Sequence, residues 1–277
     1  MKRVLTALIL IPLVLALVFM GPRWLFTAGT AAVALLAAWE FISLAERSGA
    51  RPPRVAILVA ILVLFAGSYM WVDLTLILIG ALSLALLAYC AFRSSVELVL
   101  PDACTSVLCL LYVGFALIAL PILRGEEDSN GPSLVTFLLC VVWAGDIAAL
   151  YVGRAWGRRK LAPTLSPNKT WEGALGSVAG SLLATGALLG VASLFEMANS
   201  ERLSFHAEAW YYWLGLAVVV NVAAQVGDLV ESAIKRSVDV KDSGSLLPGH
   251  GGVLDRIDAL LLAAPVLWYA QVIHLRF

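Results

Sequence analysis

About nine apolar runs, each long enough to cross a lipid bilayer, dominate this sequence of 277 residues. The runs are centred near residues 12, 34, 63, 82, 113, 142, 183, 219 and 265. A transmembrane helix needs about 20 predominantly apolar residues, because the hydrocarbon core is about 30 Å thick. Hydrophobic residues make up 61% of the chain and charged residues only 14%, which excludes an ordinary soluble domain. The sequence therefore predicts an all-α polytopic membrane protein with about nine transmembrane helices.

The Lys and Arg residues collect in alternate connections between these runs. They precede the first run and lie between the second and third, the sixth and seventh, and the eighth and ninth runs. The other connections are acidic or poor in cations, apart from an ambiguous one near Arg93. Because cationic loops stay on the cytoplasmic side, we expect a cytoplasmic N-terminus and a C-terminus outside. The first run, from Val4 to Met20, is expected to be an uncleaved span rather than a secretory signal.

The most polar part of the chain runs from Gln225 to Asp258, between and into the last two apolar runs. Its charged residues are Asp228, Glu231, Lys235, Arg236, Asp239, Lys241, Asp242, Asp255, Arg256 and Asp258. A solvated loop would explain some of them, but several fall within the apolar runs, where ionisable groups are costly and mark functional sites. At about 100° per residue, one helical stripe carries Asn221, Gln225, Asp228, Ser232 and Lys235. Asp255 and Asp258 share a face at the start of the next helix.

The segment between these two helices ends in glycines around His250. Gly251 and Gly252 allow a close approach of the backbone to a ligand, and successive N–H groups in such a turn can bind an anion. Mg²⁺ is commonly held by one or two carboxylates together with phosphate oxygens. Lys235, Arg236 and Lys241 would neutralise phosphate charge. These residues predict a site for a metal-bound polyphosphate.

A second polar region lies between the sixth and seventh runs. Asp146 precedes it by about two helical turns, and it is either a lone polar helix contact or a third acidic group of the site. Ser166 or Asn168 is expected to cap the helix that carries Glu172. Lys169 and the N–H groups of that helix can bind phosphate oxygens. The cations at 158–160 suit anionic lipid headgroups as well as they suit chemistry.

Both polar regions resemble those of the phosphatidate cytidylyltransferases, also called CDP-diacylglycerol synthases. The first likeness is Ser232-x-Ile234-Lys235-Arg236, then Lys241-Asp242-x-Gly244, then Leu247-Pro248-x-His250-Gly251-Gly252-Val253-x-Asp255-Arg256-Ile257-Asp258. The second runs from Asp146 through Tyr151, Gly153 and Arg154 to Ser166-Pro167-Asn168-Lys169-Thr170-Trp171-Glu172-Gly173. The family usually has Lys where Asn168 stands, so Asn168 is the weaker candidate. The resemblance covers about residues 132–277 and is diffuse before them.

The resemblance implies a reaction of phospholipid biosynthesis. CTP and phosphatidic acid would give CDP-diacylglycerol and pyrophosphate, by Mg²⁺-dependent attack of the lipid phosphate on the α-phosphate of CTP. The lipid phosphate is already ionised at neutral pH, so no strong general base is needed. Alignment of two polyanions and neutralisation of their repulsion would carry the catalysis. The protein would lie in the inner (plasma) membrane, with the site facing the cytoplasm.

Roles for single residues follow from this reading. Asp228 and Asp255 are expected to be the principal metal ligands, with Asp146 and Asp258 as supporting candidates, and Lys235 and Arg236 are expected to be catalytic. The expected substrate-binding residues are Ser166, Lys169, Thr170, Glu172, Ser232, Lys241, Asp242, His250, Gly251, Gly252 and Arg256. A second metal or a monovalent cation is an open alternative beside Mg²⁺. The expected partners are CTP, phosphatidic acid and membrane lipids; a homodimer is left open, and no basic block indicates nucleic acid.

The chain divides, on this interpretation, into two regions. Residues 1–131 form a transmembrane scaffold of about five helices, in which Glu40 is expected to have a packing or interfacial role, with a pocket residue as the alternative. Residues 132–277 form a catalytic region of about four helices and two cytoplasmic motif loops. Gly176 and Gly180 predict close packing of the seventh helix against a neighbour.

Three other functions are compatible with some of these features. A transporter also places polar groups on membrane helices, although here the charges crowd one end and no repeat relates the two halves. A CTP-dependent lipid-alcohol kinase has similar charge requirements but needs a base for the hydroxyl. A related synthase could act on an ether-linked archaeal lipid. The released product distinguishes the first two from a synthase: the kinase releases CDP, the synthase pyrophosphate, and the transporter neither.

Overall fold

The computed structural model describes residues 2–125, 130–197, 205, 209–244 and 251–274, with the side chains of 2–10, 196, 197 and 274 left out. The helices are α1 (Lys2–Met20), α2 (Arg23–Arg47), α3 (Arg54–Met70), α4 (Thr75–Arg93), α5 (Val99–Cys109), α6 (Ala116–Arg124), α7 (Gly131–Trp156), α8 (Trp171–Met197), α9 (Trp210–Ser237) and α10 (Leu254–His274). A 3₁₀ turn (Val72–Leu74) precedes α4, and a π-helical segment (Leu110–Phe115) joins α5 to α6. The predicted all-α polytopic membrane fold is confirmed.

Seven spans in the described part of the chain are long and apolar enough to cross a membrane. They are α2, α4 with its 3₁₀ turn, the continuous α5–α6 rod, α7, α8, α9 and α10. The helix α3 and the part of α1 whose side chains are described, Ile11–Met20, are also apolar but shorter. Every predicted run coincides with one of these helices, while the number nine and the sidedness stay predictions.

A small antiparallel hairpin lies between α7 and α8. Its strands are β1 (Lys160–Ala162) and β2 (Ser166–Thr170), with Lys160 opposite Thr170 and Ala162 opposite Ser166. The prediction that Ser166 or Asn168 caps α8 was therefore wrong, because β2 continues to Thr170 and α8 begins only at Trp171, beyond the reach of both side chains. Thr170 caps the helix instead, since its Oγ1 accepts the N–H of Gly173 at 3.1 Å.

Close packing of α8 against α7 brings the hairpin and α9 together. A Cβ atom at Gly176 would lie 2.6 Å from the Cβ of Val152, and one at Gly180 would overlap the Cβ of Ala148. The predicted small-residue face is confirmed. Ser181 Oγ donates to Val141 O at 2.7 Å across this interface, so polar contacts also fix the pair.

The buried core does not divide at residue 131. One cluster contains Phe41 and Ile57 from the N-terminal half together with Leu254 and Leu261 of α10. The other joins Phe26 and Ala119 to side chains of α7 and α9. The division into two regions stays a prediction about function, and in packing the two halves are continuous.

Candidate functional site

A cavity of about 630 Å³ opens between α7, the hairpin, α8 and α9. Acidic, basic and amide groups share its lining with small residues that leave room for a ligand. Its polar residues are Asp146, Arg154, Lys160, Asn168, Lys169, Thr170, Ser177, Gln225 and Asp228. The two polar regions of the sequence thus meet at one cavity.

The polar stripe of α9 forms the contact with α8 at its first two positions. Asn221 is buried, and its Nδ2 donates to Ser177 Oγ at 2.9 Å and to Ser181 Oγ at 2.8 Å. Gln225 Nε2 donates to Asn221 Oδ1 at 2.7 Å and to Ala174 O at 3.2 Å. Buried amides require such partners, so these two residues orient α9 and leave the next position of the stripe at the cavity.

Asp228 occupies that next position and pairs with Lys169 of β2. Their Oδ2 and Nζ atoms are 2.6 Å apart, and both side chains are partly exposed to the cavity. Asp228 also interacts electrostatically with Asp146 across the cavity and with Asp258 on α10. Lys169 therefore contacts Asp228 directly and also interacts with the nearby carboxylate of Asp146.

A second cluster surrounds Lys235, two turns further along α9. Its Nζ lies 2.7 Å from Asp255 Oδ1 and 2.6 Å from Glu231 Oε2. In the described part of the chain the Glu231 oxygens have no partner in ideal hydrogen-bond geometry, and Glu231 interacts with both Lys235 and Asp255. Glu231 is fully buried. We did not predict this role for Glu231; the signal was an acid four residues before a Lys within an apolar helix.

Asp255 is held by backbone donors as well as by Lys235. Its Oδ2 accepts the N–H of Gly252 at 2.8 Å and the N–H of Ser243 at 3.0 Å. Gly251, just before, adopts φ +78°, a conformation that favours glycine. Asp255 thus holds the backbone of the segment between α9 and α10 at two points, Ser243 and Gly252. His250 lies outside the described residues.

The cavity carboxylates fit a magnesium ion in chemical type. In the described ranges no group of three or more His, Cys, Asp or Glu side chains forms a ready metal site. Mg²⁺ needs only one or two carboxylates when phosphates and water complete its shell, and Asp146 and Asp228 line the cavity. Asp258 interacts with both and with Lys235, so it lies between the two clusters. The role of Asp255 as a ligand stays a prediction, since the contacts of its carboxylate are with Lys235, Glu231, Ser243 and Gly252.

Several other predicted residues support the hairpin and the end of α9. Glu172 accepts the backbone N–H groups of Arg158 at 3.1 Å and Arg159 at 3.2 Å. Arg236 donates to Leu165 O at 3.4 Å and to Val240 O at 3.1 Å. Both residues therefore have a structural contact beside any part in substrate binding.

The remaining predicted residues lie around these two clusters. Ser166 and Thr170 are in β2, and Ser232 is half-buried on α9 between Asp228 and Lys235. Lys241 and Asp242 are exposed in the segment after α9, and Arg256 is exposed in the first turn of α10. Their roles toward a substrate stay predictions.

Glu40 of α2 reaches this region from the N-terminal half. It accepts hydrogen bonds from Ser243 Oγ at 3.0 Å, Val253 N at 3.0 Å and Leu254 N at 2.9 Å. We expected a packing or interfacial role; the residue is buried, and it contacts the predicted motif directly. The sequence signal for a special role of Glu40 was an acid within an apolar run. The run does not indicate which residues Glu40 contacts.

Together these features define a polytopic membrane protein with a polar cavity, whose lining combines cations and carboxylates and draws on both polar regions of the sequence. The chain belongs to the Cytidylyltransferase family, whose sequence model matches residues 1–274. This membership confirms the resemblance seen in the motifs.

Three relatives illustrate the range of similarity. A phosphatidate cytidylyltransferase of Pseudomonas aeruginosa is 36% identical over 291 residues, with 97% of each chain covered. One of Haemophilus influenzae is 33% identical over 296 residues, also with 97% of each chain covered. One of Brucella melitensis is 47% identical over 159 residues, which cover 57% of this chain and 54% of that protein. The chain thus matches about half the length of the Brucella relative and nearly all of the other two.

Proposed function

We propose that this protein condenses CTP with phosphatidic acid to give CDP-diacylglycerol and pyrophosphate. The observation that carries the proposal is the meeting of Lys169 and Asp228 at one cavity, since they come from the two regions that resemble the family's motifs. The names of the relatives, two of which align over 97% of this chain, support the same substrates.

In the proposed reaction, an ionised oxygen of the lipid phosphate attacks the α-phosphorus of CTP. A new P–O bond forms, the bond between the α-phosphorus and the bridging oxygen breaks, and pyrophosphate leaves with that electron pair. No proton has to be removed from the nucleophile, so the site needs positive charge and alignment more than a base.

The residues of the cavity can supply both. Arg154, Lys160 and Lys169 line it and would neutralise phosphate oxygens. Asp228 and Asp146 would hold Mg²⁺, with Asp258 as a further candidate and Asp255 as the ligand that the sequence predicts. When bound, the metal would offset the charge of the phosphates and orient them.

Lys235 and Arg236 would complete the site from the far end of α9. Lys235 lies between two carboxylates, so a phosphate that approaches it would compete with Asp255 for the same ammonium group. Ser232 lies between this cluster and Asp228 on the same helix. The arrangement supports an extended binding site along α9, which suits two phosphate-bearing substrates.

The proposed topology has nine spans, with a cytoplasmic N-terminus and an outside C-terminus in the inner membrane. Alternation of the helices then puts the ends of α2, α7 and α9 on one side. The Glu40 contacts with Ser243 and Leu254 agree with this, because they connect α2 to the segment after α9. CTP would arrive from the cytoplasm, and the lipid would enter from the inner leaflet.

The test is incubation of the purified protein with phosphatidic acid, Mg²⁺ and CTP labelled at the α-phosphate. We expect label in the lipid phase and one pyrophosphate released for each labelled lipid. Release of CDP with unlabelled lipid would identify a kinase instead. The proposal would be overturned if no product forms in a preparation whose thermal unfolding transition shows that the protein is folded.

A further inference from the structure

We propose that Glu40 is a positioning residue for the site, acting from the N-terminal half through Ser243 and the first turn of α10. The inference rests on the proposed function for its kinetic consequence. It gives α2 a specific part in the reaction, although no group of α2 lines the cavity.

The contacts of Glu40 are those of a fixed carboxylate. Its Oε2 accepts from Ser243 Oγ and from the N–H of Leu254, and its Oε1 accepts from the N–H of Val253, at distances of 2.9–3.0 Å. The residue is 3% exposed and lies among the buried side chains of α2. An ionised acceptor strengthens such hydrogen bonds, and the N-terminus of a helix favours a negative charge.

The donors of Glu40 alternate with those of Asp255. Ser243 gives its hydroxyl to Glu40 and its backbone N–H to Asp255. At the start of α10, the N–H of Gly252 goes to Asp255, and the next two N–H groups go to Glu40. The two carboxylates, one from each half of the chain, therefore accept hydrogen bonds from the same two places, Ser243 and the start of α10.

This division of donors connects Glu40 to Lys235. Asp255 contacts Lys235 at 2.7 Å only while the first turn of α10 and Ser243 hold their places. If Glu40 no longer accepts these hydrogen bonds, the N–H groups of Val253 and Leu254 lose their acceptor. No carbonyl within the helix can replace it, because N–H groups at the start of a helix have no intrahelical partner. The position of Asp255, and with it that of Lys235, would then be less defined.

Two glycines provide an independent observation. A Cβ atom at Gly244 would lie 2.8 Å from Glu40 Cδ, and one at Gly252 would lie 2.7 Å from the same atom. Both residues have φ outside the left-handed region, so the need for glycine does not come from the turn. At Gly244 it comes from the closeness of Glu40, and at Gly252 it comes from Ser243 Oγ together with Glu40. The motif is thus shaped to receive this carboxylate.

The experiment compares Glu40→Gln with Glu46→Gln, a control in the same helix. Glu46 is exposed and, among the residues that the structure describes, forms its ion pair with Arg54, so its loss should leave kinetics unchanged. In Glu40→Gln an amide group faces a backbone donor, which should displace the start of α10. We expect kcat to fall about tenfold to a hundredfold, because small displacements of reacting groups lower rates by such factors. We also expect a severalfold rise in the KM for CTP, which a smaller fraction of folded enzyme would not cause.

Two further variants keep the inference open to contradiction. Glu40→Asp retains the charge and should recover part of the loss, and Ser243→Ala removes one donor and should give a smaller effect that does not add to that of Glu40→Gln. If the wild type makes no product, the proposed function fails. If the wild type is active and Glu40→Gln has normal kcat and KM, or loses kcat only in proportion to folded protein, the inference about Glu40 is wrong.

Discussion

Lys169 and Asp228 form an ion pair of 2.6 Å at the cavity, joining the hairpin to the centre of α9. One belongs to each of the two polar regions of the sequence. A ligand with its own metal and phosphates can replace both halves of this pair, since the carboxylate suits the cation and the ammonium suits the phosphate. The pair therefore defines the part of the cavity where we expect the chemistry.

Substitution of Asp228 by Asn tests that expectation. The amide keeps the size of the side chain but lacks the charge that Lys169 and a metal require, so we expect a loss of turnover of at least about 100-fold. The melting temperature should change little because the residue is partly exposed. Asp239→Asn is the control, since Asp239 is exposed and Asn tolerates its positive φ. Near-normal turnover in Asp228→Asn would remove it from the site.

Magnesium titration distinguishes Asp146 from Asp255 as the carboxylate that would hold the metal together with Asp228. If Asp146 helps to hold the ion, Asp146→Asn should raise the Mg²⁺ concentration for half-maximal activity by about tenfold, by analogy with altered metal sites. Asp255→Asn should lower kcat with a smaller change in that concentration. The reverse order would favour Asp255 as the ligand, as the sequence predicts.

Lys235 should contribute to stability as well as to activity. Lys235→Met leaves two carboxylates without their cation, and Glu231 is fully buried. Breaking a buried pair in this way costs about 3–5 kcal/mol. The double variant Glu231→Gln/Lys235→Met should recover much of the melting temperature, as measured in detergent, without recovering turnover. Recovery of turnover would show that Lys235 has only a structural role.

Asn221 should stabilise the contact between α8 and α9. Asn221→Ala removes two hydrogen bonds to serines and the acceptor of Gln225, so we expect a loss of about 1–3 kcal/mol in the free energy of unfolding. The adjacent Val222 is exposed on the same helix, and Val222→Ala should change stability by less than about 0.5 kcal/mol. Equal effects of the two substitutions would contradict the assigned interface.

Thr170 should act as the cap of α8. Thr170→Val keeps the shape of the side chain but removes the acceptor of the Gly173 N–H, which should cost about 1 kcal/mol. Hydrogen exchange at Gly173 should become faster. Thr164 lies exposed in the hairpin turn, and Thr164→Val serves as the control that should leave both measurements unchanged.

Much of the fold could be predicted from hydropathy, because each apolar run coincides with a helix and the bilayer allows few other structures. The motifs also indicated the family and both polar regions. The hairpin was missed, since its two prolines, Pro163 and Pro167, indicate an interruption of helix and not the pairing of two strands. Thr170 rather than Ser166 or Asn168 caps α8, because pairing of β1 with β2 extends the chain up to that residue.

The sequence by itself determined which segments enter the membrane and which face of α9 is polar, because both depend on residues close together along the chain. Only the tertiary structure decided the partners from other elements: Lys169 for Asp228, Asp255 for Lys235, and Glu40 for the first turn of α10. Periodicity fixes the direction of a side chain around its own helix. The group that it meets depends on how closely neighbouring helices pack, and between α7 and α8 that packing is set by the small residues Gly176 and Gly180.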